Sequence, residues 1–412
     1  MKFINLQFLV KKTCLLGIAA LLLFSCSKDD DYTKPPDDTI LPDTSGGYLV
    51  EGIGLGGVSI GTIKLTAQLA GYPQFNTYMK YSIKLYRIIY RTTFKGQPIF
   101  ASGIISYPTD ISDSIPTMIV GNGLIYADED APSEFKLPNN FTGFEFIASL
   151  GYLTVIPDMI GFGVSKDKVF PIHNYEHSAN TMIDFIYASE EFIQAKKLPV
   201  NRKKFLTGYS QGGYIAMATL KMIEERPVPG ITIDATAVGA GGFNLVNLLN
   251  NAIINNTYSA PSHLALLLYS YDIMYDWDRP LTDFFQEPYA GKIPELLNGQ
   301  LNRLEIDQQL AYSFDSLLNP VFLYNLKNNN EPDLMNALRE NSVDNWAPKS
   351  PLRIIHSTND DRIPISDSED TYNKMVANGS ESVTFTPIAT EGHVDSGIAF
   401  IEIILQWFNG MK

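Results

Sequence analysis

Short apolar runs alternate along the chain with longer segments in which apolar residues recur at helical spacing. The apolar runs predict strands at residues 83–93, 97–108, 117–120, 152–156, 205–208, 231–238, 352–356 and 383–388. Helical spacing predicts helices at residues 142–150, 176–196, 212–225, 366–377 and 397–408. Near-continuous apolar strands separated by helices are typical of a mostly parallel sheet that has helices on both faces. The pattern therefore predicts the α/β fold class.

The alternation stops between Gly242 and Trp346. That stretch is rich in Leu, Asn, Tyr and Phe and has few strand signals. We expect a helical cap inserted at about residues 243–345, and irregular packing along the sheet edge is the alternative. No repeat of 20–50 residues is visible, which excludes propellers and solenoids.

The first residues have the pattern of an export signal. Lysines precede an apolar run from Cys14 to Phe24, which is too short to span a bilayer as a stable helix. The run leads into Cys26 through a segment that resembles the lipobox of bacterial lipoproteins, where cleavage precedes a lipidated cysteine. We therefore expect a signal peptide at 1–25, lipidation at Cys26, a flexible acidic tether at 26–47 and one α/β domain at 48–412. An ordinary secretory signal with a chance cysteine is the alternative.

The resemblance to lipoproteins implies where the protein is located and which cysteine chemistry is excluded. The lipid would anchor the protein to a bacterial outer membrane, and an acidic run after the lipidated cysteine resembles the surface-export signals of some lipoproteins. With Cys14 removed and Cys26 capped, neither of the two cysteines remains for a thiol nucleophile, a zinc site or a disulfide.

Composition and charge argue against one class of partner. The 412 residues are 45% hydrophobic and contain 31 Lys and Arg against 45 Asp and Glu, which gives a net charge of −14. Such a chain can fill a core, and its negative charge argues against a nucleic-acid partner because phosphate binding requires a basic face.

Two serines lie in the pattern Gly-x-Ser-x-Gly, which can place a serine at a sharp turn between a strand and a helix. Ser210 follows the predicted strand at 205–208 and precedes the predicted helix at 212–225. Ser59 lies in a glycine-rich segment before any predicted strand, so we interpret its surroundings as a flexible glycine turn. Ser210 is therefore the candidate nucleophile.

A serine nucleophile needs a histidine that accepts its proton and a carboxylate that orients the histidine. His393 follows the last predicted strand, whereas His356 ends a strand and is expected to pack or to form local hydrogen bonds. Asp360 follows the penultimate strand and is favoured over Asp361, although either residue could instead cap its loop. The order Ser210, Asp360, His393 is the one expected at the strand ends of such a sheet.

A zinc site is the competing interpretation of one histidine pair. His173 and His177 formally match His-x-x-Glu-His, in which both histidines of one helix bind zinc. Pro171 precedes them closely, so the segment is more typical of the start of a helix than of its interior. We expect both histidines to line or border the cleft, with no metal and no cofactor.

With these residues the chain resembles the α/β-hydrolases, and among them the secretory-lipase-like esterases. The shared segments are Gly208 to Gly213, Pro157 to Gly163, Trp346 to Pro348 leading to Asp360, and Gly392-His393. The resemblance implies a helical cap that shapes an acyl pocket. It also implies an oxyanion hole built from the backbone N–H groups of Gln211 and Leu124, although Asn122 stands where related loops often have histidine.

The sequence thus predicts a serine carboxylester hydrolase that acts on a small-molecule or polysaccharide-linked ester. Apolar side chains of the cap indicate an apolar part of the substrate, although such residues more often form a cap core: Leu266, Leu267, Tyr269, Tyr271, Met274, Trp277, Phe284 and Phe285. A serine peptidase of the same fold remains an alternative, in which Glu287, Glu295 or Glu305 would bind a free amine. A non-catalytic surface lipoprotein that binds a glycan or nutrient is the other.

Overall fold

The computed structural model describes residues 46–138, 140–226, 228–256 and 260–412. The predicted signal peptide, the lipidation site Cys26 and nearly all of the predicted tether lie outside the described residues. Within the described part of the chain, no helix combines the length and the apolar character needed to cross a membrane.

Nine strands form one sheet in the order β1-β2-β3-β5-β4-β6-β7-β8-β9. The pairs β1–β2, β2–β3 and β3–β5 are antiparallel, and all the other pairs are parallel. The strands are β1 (Leu49–Val58), β2 (Ile83–Phe94), β3 (Gln97–Pro108), β4 (Ile115–Gly121), β5 (Leu153–Pro157), β6 (Val200–Tyr209), β7 (Ala235–Gly239), β8 (Leu352–Asn359) and β9 (Val383–Glu391).

Helices cover both faces of the sheet, so the predicted α/β fold class is confirmed. One face packs on α2 (Tyr175–Lys196), α3 (Gln211–Glu225) and α12 (Ile365–Ala377), and the other on α1 (Ile60–Leu69) and α13 (His393–Asn409). Successive residues of the fully buried strand β4 alternate between these two cores, because side chains alternate across a strand.

The segment between β7 and β8 contains a series of helices that pack on the same core as α2 and α3. They are α4 (Leu245–Asn255), α5 (Pro261–Met274), α6 (Leu281–Phe284), α7 (Tyr289–Leu296), α8 (Arg303–Asp307), α9 (Phe314–Leu317), α10 (Pro320–Lys327) and α11 (Pro332–Asn341).

The two ends of this helical insertion are hydrogen-bonded to each other. The Val343 N–H donates to the carbonyl of Phe243 over 2.9 Å, and the Asn244 side chain donates to Asp344 over 2.8 Å. The buried carboxylate of Asp367 accepts from the backbone N–H groups of Phe243 and Asn244. The chain therefore leaves the sheet and returns to it at one place, where residues 243–244 and 343–344 are hydrogen-bonded; we call this place the closed neck of the insertion.

The glycine-rich segment before Ser59, where no strand was expected, forms strand β1. Its glycines hide the side-chain alternation that identifies strands, but its backbone pairs with β2 along its length. At Gly52 a Cβ atom would lie 2.9 Å from the ring of Phe192 on α2, so the absence of a side chain allows helix and strand to approach closely.

Other elements also differ from prediction in type or in bounds. The segment expected as a helix at 142–150 forms a 3₁₀ helix, Phe144–Leu150, between two glycines with left-handed backbone. The strand expected at 231–238 begins only at Ala235, and the residues before it form no regular element.

Candidate active site

Ser210 lies in the tight turn between β6 and α3. Its backbone φ of 57° is in the left-handed region, and its N–H donates to the carbonyl of Gly239 over 2.8 Å. Neither flanking glycine can carry a side chain, since a Cβ atom at Gly208 would lie 2.0 Å from the carbonyl oxygen of Gly212. A Cβ atom at Gly212 would lie 2.1 Å from the carbonyl oxygen of Gly121 on β4. The turn thus requires the pattern from which it was predicted.

The structure brings together the three residues proposed from the sequence. His393 Nε2 lies 2.8 Å from Ser210 Oγ, and His393 Nδ1 lies 2.7 Å from Asp360 Oδ2. The three residues follow β6, β8 and β9, whose carboxyl ends meet at the same edge of the sheet. The side chains of His393 and Asp360 are 4% and 0% exposed, so their contact is shielded from water.

Asp360 is an acceptor with four donors around it. Its Oδ1 accepts the backbone N–H groups of Arg362 and Ile363, each over 2.9 Å. Its Oδ2 faces His393 and also lies 3.3 Å from Nε2 of His356. Burial raises the pKa of Asp360, but the hydrogen bonds from His356, His393 and the backbone outweigh it and hold that pKa well below its usual range. The carboxylate is therefore ionised whenever the protein is folded near neutral pH.

The sequence reasoning did not assign His356 to the site, although it expected local hydrogen bonds. Its Nε2 lies 3.1 Å from the carbonyl of Ile363, which can only accept, so Nε2 carries the proton. Its Nδ1 then accepts from the hydroxyl of Ser368 over 2.8 Å. This tautomer directs an N–H toward Asp360, so His356 orients the carboxylate that orients His393.

Asp361, the second candidate for the acid, has a different contact. Its Oδ1 accepts the backbone N–H of His393 over 2.7 Å, at the first residue of α13. It therefore anchors the start of the helix and does not contact the imidazole ring through an observed hydrogen bond.

The two candidate oxyanion donors belong to two segments, the start of α3 and the loop after β4. Gln211 opens α3, where first-turn N–H groups have no helical acceptor. Leu124 lies in the loop after β4, and the start of that loop packs closely on α3, with the carbonyls of Gly121 and Asn122 next to Gly212.

Ser59, the other serine in a Gly-x-Ser-x-Gly pattern, caps a helix. Its side chain accepts the backbone N–H of Thr62 over 3.1 Å at the start of α1. The flexible glycine turn expected there is therefore wrong, because the preceding glycines belong to β1 and the serine begins α1.

A cavity of about 70 Å³ lies between the helices of the cap and the segment that precedes α2. Its lining is apolar apart from two histidines and comprises Ile172, His173, Leu245, Leu248, Leu249, Ala252, His263, Leu264, Leu267, Phe314 and Leu338. Among the cap residues expected to indicate an apolar pocket, only Leu267 lines this cavity. Leu266, Tyr271, Phe284 and Phe285 are buried in the core of the cap instead.

His173 and His177 face different surroundings. His173 lines the cavity, whereas His177 Nε2 accepts the backbone N–H of Lys95 over 3.1 Å in the turn after β2. Asn174, between them, caps α2, so the pair spans the start of that helix. Among the described residues, no three His, Cys, Asp or Glu side chains are grouped as metal ligands.

A protein-family model matches more than half of this chain. The family model described as secretory lipase matches residues 145–410, which include all three residues of the hydrogen-bonded chain. The search of curated protein sequences gives no match.

Solved structures share the fold at low sequence identity. A putative hydrolase from Legionella pneumophila has a TM-score of 0.80 at 23% identity, over 88% of this chain and 98% of that one. The rice cell wall degrading esterase LipA from Xanthomonas oryzae has a TM-score of 0.73 at 22% identity, over 87% and 95%. Candida antarctica lipase A in its closed state has a TM-score of 0.66 at 16% identity, over 93% and 86%.

Proposed function

Because the chain belongs to the secretory lipase family and is a hydrolase of the lipase and esterase type, we propose that it cleaves carboxylic esters with Ser210 as nucleophile. The observation that carries this proposal is the unbroken chain of contacts from Ser210 through His393 to Asp360. Each contact is within hydrogen-bond reach, which is the geometry required of a nucleophile and its base.

In the first half of the reaction, the Ser210 hydroxyl attacks the ester carbonyl while His393 Nε2 accepts its proton. Asp360 accepts from Nδ1–H of His393, which keeps the lone pair of Nε2 directed at Ser210 and stabilises the imidazolium that forms. The backbone N–H groups of Gln211 and Leu124 donate to the oxyanion of the tetrahedral intermediate. The C–O bond then breaks, and His393 returns the proton to the departing alcohol.

In the second half, water replaces the alcohol. His393 accepts a proton from the water as it attacks the acyl-enzyme, and the same backbone donors stabilise the second oxyanion. Collapse of this intermediate releases the acid and returns the proton to Ser210 Oγ. Every proton transfer uses this one imidazole, and no step needs a cofactor.

The proposed substrates are small-molecule or polysaccharide-linked esters met outside the cytoplasm. Membership of a secretory family supports export of the protein. The likeness to an esterase described as cell wall degrading supports an acyl group carried on a polysaccharide. Lipidation of Cys26 would hold the domain at an outer membrane, close to such polymers.

The peptidase alternative gains no support from the acidic residues of the cap. Glu305 accepts the backbone N–H of Asn302 in a capping box, and Glu287 contacts the backbone N–H of Gly291. None of the residues described as lining the cavity is acidic, so a free amine would find no carboxylate there.

The test compares the purified protein with Ser210→Ala on p-nitrophenyl esters of increasing acyl length and on an aminoacyl anilide. We expect ester hydrolysis that falls to background in the variant, together with labelling of Ser210 by a serine-directed phosphonate. If the protein cleaves the anilide and none of the esters, it is a serine peptidase and the ester proposal is wrong. Absence of turnover and of labelling would favour the binding lipoprotein.

A further inference from the structure

The cavity lies next to the start of α3, the helix that follows Ser210. Tyr214, in the first turn after Ser210, places its ring 4.7 Å from the ring of His173. A group bound in this cavity therefore lies near the first turn of the helix that follows the nucleophile.

Packing alone does not explain why the polar side chain of His173 lines this largely apolar cavity. Its Nδ1 is sealed from solvent and has no hydrogen-bond partner. Its Nε2 remains accessible and makes no hydrogen bond to any residue in the described ranges. Nε2 is therefore the nitrogen that a ligand in the cavity can reach, and its hydrogen-bonding capacity is left open by the protein.

The backbone holds the His173 ring in place. Its φ of 47° is in the left-handed region, which is uncommon for residues other than glycine. Its carbonyl accepts from the hydroxyl of Tyr271 on α5 over 2.9 Å, and the edge contact with Tyr214 restrains the ring. The imidazole is thus held in a fixed orientation where the segment before α2 meets the cap.

The charge state of this imidazole limits what it can bind. Burial lowers the pKa of His173 to about 4, so the ring is neutral near neutral pH. A carboxylate placed against a neutral ring in an apolar cavity would be costly to desolvate. A hydroxyl is small and can both donate and accept, so it matches either tautomer of a ring whose proton is fixed by no partner.

We propose that His173 is a specificity-determining contact for a short acyl group that carries a hydroxyl. The hydrocarbon part of the acyl group packs against the leucines of the cavity, and the hydroxyl exchanges a hydrogen bond with the imidazole. The small volume of the cavity restricts the acyl group to a few carbon atoms. This inference rests on the proposed ester hydrolysis at Ser210.

The test measures kcat/KM for the methyl esters of butanoate, 2-hydroxybutanoate and 3-hydroxybutanoate by titration of the released acid. The proteins are the wild type, His173→Leu, His173→Asn and the control His177→Leu, whose imidazole contacts Lys95 away from the cavity. Comparing each variant with the wild type on the same ester cancels the different intrinsic reactivities of the esters.

We expect His173→Leu to lower kcat/KM about tenfold for one hydroxy ester, the size of one neutral hydrogen bond, and less than threefold for butanoate. His173→Asn keeps a polar group and suits a left-handed backbone, so it should retain part of the preference. His177→Leu should leave the preference unchanged.

Equal losses on the three esters, with an unchanged melting temperature, would show that His173 is only structural and would overturn the proposal. A preference for ethylene glycol monobutanoate over ethyl butanoate that depends on His173 would also overturn it, by assigning the cavity to the alcohol. If His173→Leu does not fold, the same comparisons on His173→Asn decide. Failure of ester hydrolysis itself is distinct, because then no ester is cleaved and Ser210 is not labelled.

Discussion

Replacing Asp360 by asparagine changes one atom of the proposed triad and tests why its carboxylate is needed. In the folded protein, Oδ1 accepts two backbone N–H groups, and Oδ2 faces the imidazoles of His393 and His356. An amide has only one oxygen. The two backbone N–H groups can only donate, whereas the ring of His393 can change tautomer and accept. The oxygen will therefore face the backbone donors, and the amide NH₂ group will face the imidazoles.

This orientation reverses the tautomer of His393. The introduced amide then donates to Nδ1, the ring proton moves to Nε2, and Nε2 can no longer accept the proton of Ser210. We expect kcat for p-nitrophenyl butanoate to fall about 10⁴-fold, which corresponds to about 5 kcal/mol of lost transition-state stabilisation. Binding of the ester should change far less, so KM should stay within about threefold.

Asp361→Asn is the matched control, because Asp361 accepts only the backbone N–H of His393, and an amide oxygen can do the same. We expect its kcat to stay within about threefold of the wild type. The assay is steady-state hydrolysis, with thermal unfolding measured on each variant. If Asp360→Asn retained a tenth of the wild-type kcat, or if Asp361→Asn lost as much as Asp360→Asn, the assignment of the acid would be wrong.

Four further variants test three separate features of the fold. Ser59→Ala should keep full esterase activity and lower the free energy of unfolding by about 1 kcal/mol, because it removes a helix cap. Gly212→Ala should lower the free energy of unfolding, measured in urea, by about 3 kcal/mol and abolish labelling of Ser210. At Gly123 an added Cβ atom would meet no atom within 4 Å, so Gly123→Ala should leave that free energy nearly unchanged. Burial raises the pKa of Asp184 to about 6, so the folded state holds that proton more tightly than the unfolded state. The contribution of Asp184 to the free energy of unfolding therefore falls as pH rises from about 4 to 6. Relative to the wild type, the free energy of unfolding of Asp184→Asn should rise by about 2 kcal/mol from pH 4 to pH 7. A difference between the two proteins that does not change with pH would contradict this.

The residues that meet at the site could be predicted because each one has a local signal. Ser210, Asp360 and His393 each follow an apolar strand, and parallel strands bring such positions to one edge. The contact of His356 with Asp360 could not be predicted in the same way, because it depends on how the loop after β8 folds back. A histidine four residues before the candidate acid, at the end of a strand, is the signal that was available.

The cap shows a second limit of sequence reasoning. Helix α5 is apolar on nearly every side, so its pattern does not separate residues that line a cavity from residues that fill a core. Leu264 and Leu267 line the cavity, while Leu266 and Leu268 are buried elsewhere. Strand β1 was missed for the opposite reason, since its glycines give no pattern and only its pairing with β2 identifies it as a strand.

The closed neck of the insertion separates most of the cavity lining from the residues of the proposed triad. Since Phe243 and Val343 are joined by a hydrogen bond, the cap is a side loop whose ends are already fixed beside β7 and β8. The entropy of closing such a loop grows only slowly with its length, so residues between these two positions can be added, removed or exchanged at little cost to the sheet. Ser210, Asp360 and His393 all lie outside the neck. A lineage built on this architecture can therefore change most of the cavity lining by replacing one contiguous segment of its gene, while the residues of the proposed triad remain unaltered.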